Sequence, residues 1–118
     1  MCGIAGCVDP AATDHGTTVE RQLATLEHRG PDSAGVFRGE GAAVGQTRLA
    51  VIDLVTGDPP IANDDGSIGA VLNGEIYNFA DLRAELRDQG CKLATEGDTE
   101  VLAHLAETHD PVALARRL

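Results

Sequence analysis

The sequence predicts a single domain of the α+β class. Short runs of small and apolar residues are separated by turn clusters, which is typical of β-strands. Segments with apolar residues at helical spacing lie between and after these runs. The chain has 118 residues, a length that suits one domain and argues against two. Strands and helices are therefore expected to share one small folded unit.

The strands are predicted from short apolar or small-residue runs that end at turns. The first run is expected to form a buried strand that stops at Asp9-Pro10. A turn at Gly39–Gly41 separates the next two strands, and a turn at Asn63–Gly66 closes a hairpin. The predicted strands and extended segments span residues 2–8, 36–37, 42–51, 68–72 and 91–94.

The helices are predicted from apolar spacing and from capping residues. Thr17 or Thr18 is expected to cap a first helix that continues to residue 27. Asn78 is expected to cap the clearest amphipathic helix, which Gly90 ends. Asp98 is expected to cap a helix that runs to about residue 108, and a last helix begins at residue 111.

Composition argues against several classes of function. The chain carries 19 acidic and 9 Lys or Arg side chains, and its net charge of −10 opposes binding to nucleic acid or to anionic membrane surfaces. No apolar run approaches the roughly 20 residues that span a bilayer, and no secretory signal is visible. The three cysteines have no paired spacing for zinc, so we expect no metal site and a cytoplasmic location with reduced thiols.

Cys2 is the first candidate for chemistry. Removal of Met1 would leave Cys2 with a free α-amino group, which titrates near neutral pH and can act as the base for its own thiol. The alternative is that Cys2 is a small core residue of the first strand, as many free cysteines are.

Asn73-Gly74 is the second candidate. A side-chain amide beside a glycine N–H can direct two neutral donors at one oxygen, as an oxyanion hole requires. Asn-Gly is also the commonest hairpin turn, so both interpretations stay open.

Arg48 and Asp98 are candidates for substrate binding. Arg48 lies in an otherwise apolar strand, where its guanidinium needs a carboxylate partner. That partner is either an internal acidic residue or the α-carboxylate of an amino-acid ligand. Asp98 could bind the ammonium of such a ligand and also cap its helix.

Five motifs in order resemble the class II glutamine amidotransferases, the N-terminal-nucleophile glutaminase domains. The Arg-Leu-Ala-Val-Ile-Asp-Leu and Gly-Glu-Ile-Tyr-Asn stretches favour the asparagine synthetase (glutamine-hydrolysing) type. The motifs are Cys2-Gly3-Ile4-Ala5-Gly6, His28-Arg29-Gly30-Pro31-Asp32, Thr47-Arg48-Leu49, Asn73-Gly74-Glu75-Ile76-Tyr77-Asn78 and Asp98-Thr99-Glu100.

The resemblance implies a role for each matched residue. Cys2 would attack the side-chain amide of glutamine, while Asn73 and Gly74 hold the oxyanion and also contact the substrate. Arg48 would bind the substrate α-carboxylate, and Glu75 and Asp98 its ammonium. The backbone beside Arg48 would line the substrate site at Leu49, Ala50, Val51 and Ile52. This half-reaction needs no metal or organic cofactor.

The resemblance also implies a larger protein. The family's glutaminase domain is a four-layer α-β-β-α sandwich and is longer than 118 residues, so we expect residues 1–118 to form only part of it. ATP and Mg would bind in a separate synthetase domain, absent from this sequence, which would use the ammonia for asparagine biosynthesis. Glutamine and that domain are the expected partners, and a homodimer is left open.

Two other functions are open. The chain could be a non-catalytic remnant that binds an amino acid or a partner, or it could belong to an amidotransferase branch with another ammonia acceptor. One departure from the family pattern is Gln46, where the family often has His; the implied mechanism gives this residue no role.

Overall fold

The computed structural model describes residues 1–51 and 53–118. These residues form two antiparallel sheets and four α-helices, so the predicted α+β class is confirmed. The strands are β1 (Gly3–Val8), β2 (Ser33–Gly39), β3 (Ala42–Arg48), β4 (Ile61–Ala62) and β5 (Gly69–Ala70). The α-helices are α1 (His15–Ala24), α2 (Phe79–Asp88), α3 (Glu100–Leu105) and α4 (Pro111–Ala115), and a short 3-10 helix spans Glu27–Arg29.

The larger sheet has the order β1-β3-β2, so β3 is its central strand. Its register pairs Gly3 with Thr47 and Ser33 with Arg48. Gly41, at φ +70°, allows the tight turn between β2 and β3, as predicted. β3 ends at Arg48, three residues before the predicted end, because the chain beyond it leaves the ladder and forms a loop.

Helix α1 packs on one face of this sheet. Val19 and Leu23 are buried there against Ala43 of β3. A Cβ at Gly45 would come within 2.8 Å of both Val19 and Leu23, so the close approach of α1 requires glycine at that position. The predicted cap at Thr17 or Thr18 is wrong, because Asp14 already caps α1 by accepting from the backbone N–H of Thr17 at 2.9 Å.

The opposite face of β1 is exposed. Val8 is 79% accessible and Ile4 is 43% accessible. The prediction of a buried first strand is therefore correct for one face only, because inward and outward side chains alternate along the strand.

A second apolar cluster lies in the C-terminal half. Helices α2 and α3 pack through Leu82, Leu86, Val101 and Leu105, and Ile76, which precedes α2, joins the same cluster. As predicted, α2 follows Asn78 and ends before Gly90. The predicted cap by the Asn78 side chain is wrong, because its amide donates instead to the carbonyl of Arg117 at 2.8 Å.

The small sheet and the segment after α2 complete the described fold. β4 and β5 form the predicted hairpin, with Gly66 at φ +72° in its turn. Residues 91–94 join no strand ladder in the structure, so the extended segment predicted there is not part of a sheet. No helix in the described residues has the length and apolar character needed to cross a bilayer.

Candidate active site

Most of the predicted site residues line one cavity of about 380 Å³, a volume in the usual range for small-ligand sites. Residues that precede β1 and residues of β3 form one side of the cavity, and the segments before α2 and α3 form another. Ala50 does not line the cavity, and Ile52 lies outside the described residues. The predicted residues that do line it are Cys2, Arg48, Leu49, Val51, Asn73, Gly74, Glu75 and Asp98.

The Cys2 thiol is half-buried and lies against the backbone of Leu49. The Leu49 N–H donates to Sγ at 3.4 Å, and Sγ lies 3.9 Å from the Leu49 carbonyl oxygen. The Arg29 guanidinium donates to the Cys2 carbonyl at 3.1 Å. The N–H of Gly3 donates to the Thr47 hydroxyl at 3.1 Å, and that hydroxyl donates to the Leu26 carbonyl at 3.2 Å. Hydrogen bonds therefore hold the sulfur of Cys2 and also the backbone on the C-terminal side of this residue.

The His28–Asp32 segment supports the end of β3. A Cβ at Gly30 would lie 2.6 Å from the Arg48 backbone, so only glycine allows this approach. The Asp32 N–H donates to the Arg48 carbonyl at 3.0 Å, and its carboxylate accepts from the Ala50 N–H at 2.8 Å. Ala50 therefore directs its N–H at Asp32.

Arg48 is buried, with 6% of its surface accessible, and its partners are internal. Nη1 donates to the Asp58 carboxylate at 2.8 Å, and Nη2 donates to the carbonyl of Asp53. Asp58 is exposed, and hydrogen bonds from Ser33 and Arg48 lower its carboxyl pKa. An internal carboxylate, one of the two partners left open by the sequence, therefore contacts Arg48.

Asp53 connects two loops that border the cavity. It adopts a left-handed backbone conformation at φ +52°. Its carboxylate accepts from the Thr56 N–H at 2.8 Å and the Thr56 hydroxyl at 2.5 Å, and from the Glu96 N–H at 2.8 Å. Burial raises the pKa of the Asp53 carboxyl, but these bonds outweigh it and hold the pKa well below its usual range. The loop after β3 is thereby joined to the loop before α3.

Asn73 and Gly74 form a bend between β5 and α2 and are exposed. They are not the turn of a hairpin, so the alternative structural interpretation is wrong. Leu72, directly before them, is held by the Gln46 side chain. Its N–H donates to Gln46 Oε1 at 2.8 Å, and its carbonyl accepts from Gln46 Nε2 at 2.9 Å.

Asp98 is buried, but its side chain does not cap α3. One carboxylate oxygen accepts from the Ile76 N–H at 2.9 Å, and the other accepts from the Thr99 hydroxyl at 3.4 Å. The expected cap is wrong because a backbone donor 22 residues earlier occupies the carboxylate. This contact places the Asp98 carboxylate against Ile76, which lies two residues after Gly74. Glu75, in between, is exposed at the cavity.

The buried pair Arg83–Glu100 was not predicted from the sequence. The two side chains are 3% and 1% accessible, and Nη1 lies 3.2 Å from Oε2. Glu100 accepts from the N–H groups of Ala94 and Thr95, at 2.7 and 3.2 Å, and Arg83 donates to the Gly97 carbonyl at 3.0 Å. The pair therefore organises the loop that leads into Asp98. A charge at position 83, within the apolar stripe of α2, was the available signal.

Within the described part of the chain, no group of three or more His, Cys, Asp or Glu side chains is arranged to hold a metal ion.

Similarity to a known protein family defines the class of this protein. Residues 1–117 match the family described as glutamine amidotransferase domain, and the chain belongs to that family. This confirms the family predicted from the five motifs.

The curated relatives that it matches are glutamine-hydrolysing asparagine synthetases. The chain is 40% identical over 112 residues to asparagine synthetase [glutamine-hydrolyzing] 3 of Arabidopsis thaliana, and 42% identical over 112 residues to the enzyme of Asparagus officinalis. It is 39% identical over 106 residues to asparagine synthetase [glutamine-hydrolyzing] 1 of Bacillus subtilis (strain 168). These alignments cover 92%, 92% and 86% of this chain and 19%, 18% and 17% of the relatives. The chain thus spans about a fifth of their length.

Proposed function

We propose that the chain is the glutaminase part of an asparagine synthetase-like enzyme and that Cys2 is its nucleophile. The observation that carries this proposal is the convergence of Cys2, Asn73-Gly74 and Asp98 on one cavity from three distant segments. Family membership supports a second part of the proposal, that the complete domain has the N-terminal-nucleophile α-β-β-α fold.

In the first step, the α-amino group of Cys2, freed by loss of Met1, takes the proton of the thiol. The thiolate then attacks the side-chain amide carbon of glutamine, and the carbonyl π electrons move to oxygen. An α-amine and a thiol have similar ordinary pKa values, both near 8, so proton transfer from the thiol to the amine has a free-energy change close to zero. The backbone of Leu49, in contact with Sγ, keeps the sulfur at the cavity wall.

In the second step, the Asn73 amide and the Gly74 N–H donate to the oxyanion. The protonated amine passes its proton to the departing nitrogen, the C–N bond breaks, and ammonia leaves. A γ-glutamyl thioester remains on Cys2, and water hydrolyses it through a second oxyanion at the same donors. Preorganised donors of this kind supply a large share of the rate enhancement in acyl transfer.

Substrate binding uses the charged groups of the cavity. Arg48 binds the α-carboxylate of glutamine; its present partner, Asp58, is solvent-exposed and is displaced or shared when the ligand enters. Asp98 and Glu75 bind the ammonium. Leu49 and Val51, which line the cavity, lie beside the substrate, and no metal or organic cofactor takes part.

The ammonia is used elsewhere. We expect a synthetase domain that binds ATP and Mg to consume it in making asparagine, because the relatives are named for that combined activity and are about five times longer than this chain.

Labelling with 6-diazo-5-oxo-norleucine, a glutamine analogue that alkylates nucleophilic thiols, tests the proposal. Intact mass should show loss of Met1, and the label should be on Cys2 rather than on Cys7 or Cys91. Burial, with the nearby Glu107, raises the pKa of the Cys91 thiol, which makes Cys91 the less reactive control. The variant Cys7→Ala should keep glutamine hydrolysis, and Cys2→Ala should lose it.

Equal labelling of all three thiols, or hydrolysis that survives Cys2→Ala, would contradict the proposal. Protection of Cys2 by glutamine without hydrolysis would support the amino-acid-binding alternative instead.

A further inference from the structure

Gln46 has an arrangement that the proposed mechanism does not use. Its side chain is 4% accessible, projects from the central strand β3, and lines the same cavity as Cys2. Both ends of the amide bond to a single residue, Leu72: one to its N–H at 2.8 Å and the other to its carbonyl at 2.9 Å.

This pair of bonds copies the way one strand residue pairs with another in a sheet. A primary amide presents a donor and an acceptor side by side, in the spacing of a backbone N–H and carbonyl. Gln46 therefore docks the backbone of Leu72 on the sheet that carries Cys2, although Leu72 itself belongs to no strand. The residues that follow are Asn73 and Gly74.

We propose that Gln46 is a positioning residue that sets the distance between Cys2 and the oxyanion donors through its two hydrogen bonds to Leu72. The inference rests on the proposed function, in which Asn73 and Gly74 hold the oxyanion. Gln46 itself touches no reacting atom. It acts by locating the bend that presents both donors.

The chemistry of other side chains at this position shows why an amide is required. Leu has a similar size but neither donor nor acceptor, so both polar groups of Leu72 would be left unpaired. Ionised Glu accepts from the Leu72 N–H but directs a second negative oxygen at the Leu72 carbonyl. Protonated Glu restores the donor and can make both bonds.

The variant Q46L tests the positioning role. We expect kcat for glutamine hydrolysis to fall roughly 10- to 100-fold, since small misplacements at a reacting centre cost up to about that factor. KM should stay within about twofold, because Arg48 and Asp98 are not held by Gln46. Alkylation of Cys2 by iodoacetamide, which forms no oxyanion, should keep its wild-type rate. The matched control is Q22L, which changes an exposed glutamine of α1.

The variant Q46E adds a pH signature that a merely structural residue would not give. The ratio of its kcat to that of the wild type should fall as pH rises, because the introduced carboxyl loses the proton that it donates to Leu72. Taking the ratio cancels the titration of groups that both proteins share. The titratable side chains that line the cavity are Cys2, Arg48, Glu75, Tyr77, Asp98 and Glu100.

Amide hydrogen exchange separates failure of this inference from failure of the proposed function. Faster exchange in Q46L confined to Leu72, Asn73 and Gly74 is expected whether or not the protein hydrolyses glutamine. Lack of Cys2-dependent hydrolysis in the wild type would overturn the proposed function, and with it the catalytic part of this inference. An unchanged kcat in folded Q46L, or a loss that appears only in KM, would overturn the positioning role alone. If Q46L does not fold, a ratio of Q46E kcat to wild-type kcat that does not change with pH would overturn the positioning role.

Discussion

Cys2 and Asp98 line the same cavity but are held there by different interactions. Cys2 is placed by neutral hydrogen bonds, through Thr47 and the backbone of Leu49, and by the Arg29 guanidinium. Asp98 follows a loop that is organised by a fully buried ion pair, Arg83–Glu100. The bonds around Cys2 continue the hydrogen bonding between β1 and β3. The bonds made by Arg83 and Glu100 take the place of strand pairing in a loop that belongs to no sheet.

This difference explains how the loop before Asp98 can form a wall of the cavity whose backbone is held by hydrogen bonds, as the backbone of a strand is. In a strand, the backbone N–H and C=O groups form hydrogen bonds with the neighbouring strand. In the loop at 94–97, side chains must supply the partners for these groups. Glu100 accepts from two of its N–H groups, and Arg83 donates to two of its carbonyls. A charged pair is suited to this task because each member carries several donors or acceptors.

The largest expected effect is on the Asp98 side. Replacing Arg83 with Met would leave Glu100 buried without its cation, and such breaks cost about 3–5 kcal/mol of the free energy of unfolding. Urea denaturation measures the loss. The control R87M changes an exposed arginine of the same helix and should cost far less. A loss below about 1 kcal/mol for R83M would mean that the pair does not organise the loop.

A smaller effect is expected on the Cys2 side. The variant T47V removes one hydroxyl that bonds to both Gly3 and Leu26, which should cost about 1–3 kcal/mol. Labelling of Cys2 by the glutamine analogue should slow more than labelling by iodoacetamide, since only the former needs an aligned thiol. T18V, at an exposed hydroxyl of α1, is the control. Equal slowing of both reagents would show a general loosening of the terminus instead.

The smallest effect concerns the connection between the two sides. In D53N the Glu96 N–H loses a charged acceptor, a change of about 1 kcal/mol. The folded pKa of Asp53 lies below the unfolded value near 3.9, so its contribution is complete above the unfolded value and is lost progressively as pH falls from there towards the lower, folded pKa. The stability difference between wild type and D53N should therefore be constant near neutral pH and shrink below about pH 4.

Chemical denaturation from pH 7 to pH 2.5 measures that difference, with D88N as an exposed control. A difference that grows toward low pH would reverse the sign and refute the assignment.

The sequence correctly predicted those structural features that depend on residues close together in the chain. The apolar spacing of α2, its end at Gly90 and the turn at Gly41 each depend on a few neighbouring residues, and all three were correct. The motif residues were also predicted to share a site, and most of them line one cavity.

What the sequence could not predict depends on distant partners. Asp98 has the features of a helix cap, but its carboxylate is used by an N–H 22 positions away. Gln46 and Leu72 are separated by 26 positions, and Arg83 and Glu100 by 17. No local pattern contains such pairs, because only the fold brings them together.

The alternation of side chains along β3 has a consequence for how this sequence can change in evolution. Ala43, Gly45 and Thr47 serve the packing beneath α1 and the placement of the first strand, whereas Gln46 and Arg48 serve the cavity. Substitutions can therefore accumulate on one set without disturbing the other. Insertion or deletion of a single residue within the strand would exchange the two sets, since the side-chain repeat is two residues. A change of length within β3 would therefore disturb the packing under α1 and the lining of the cavity together.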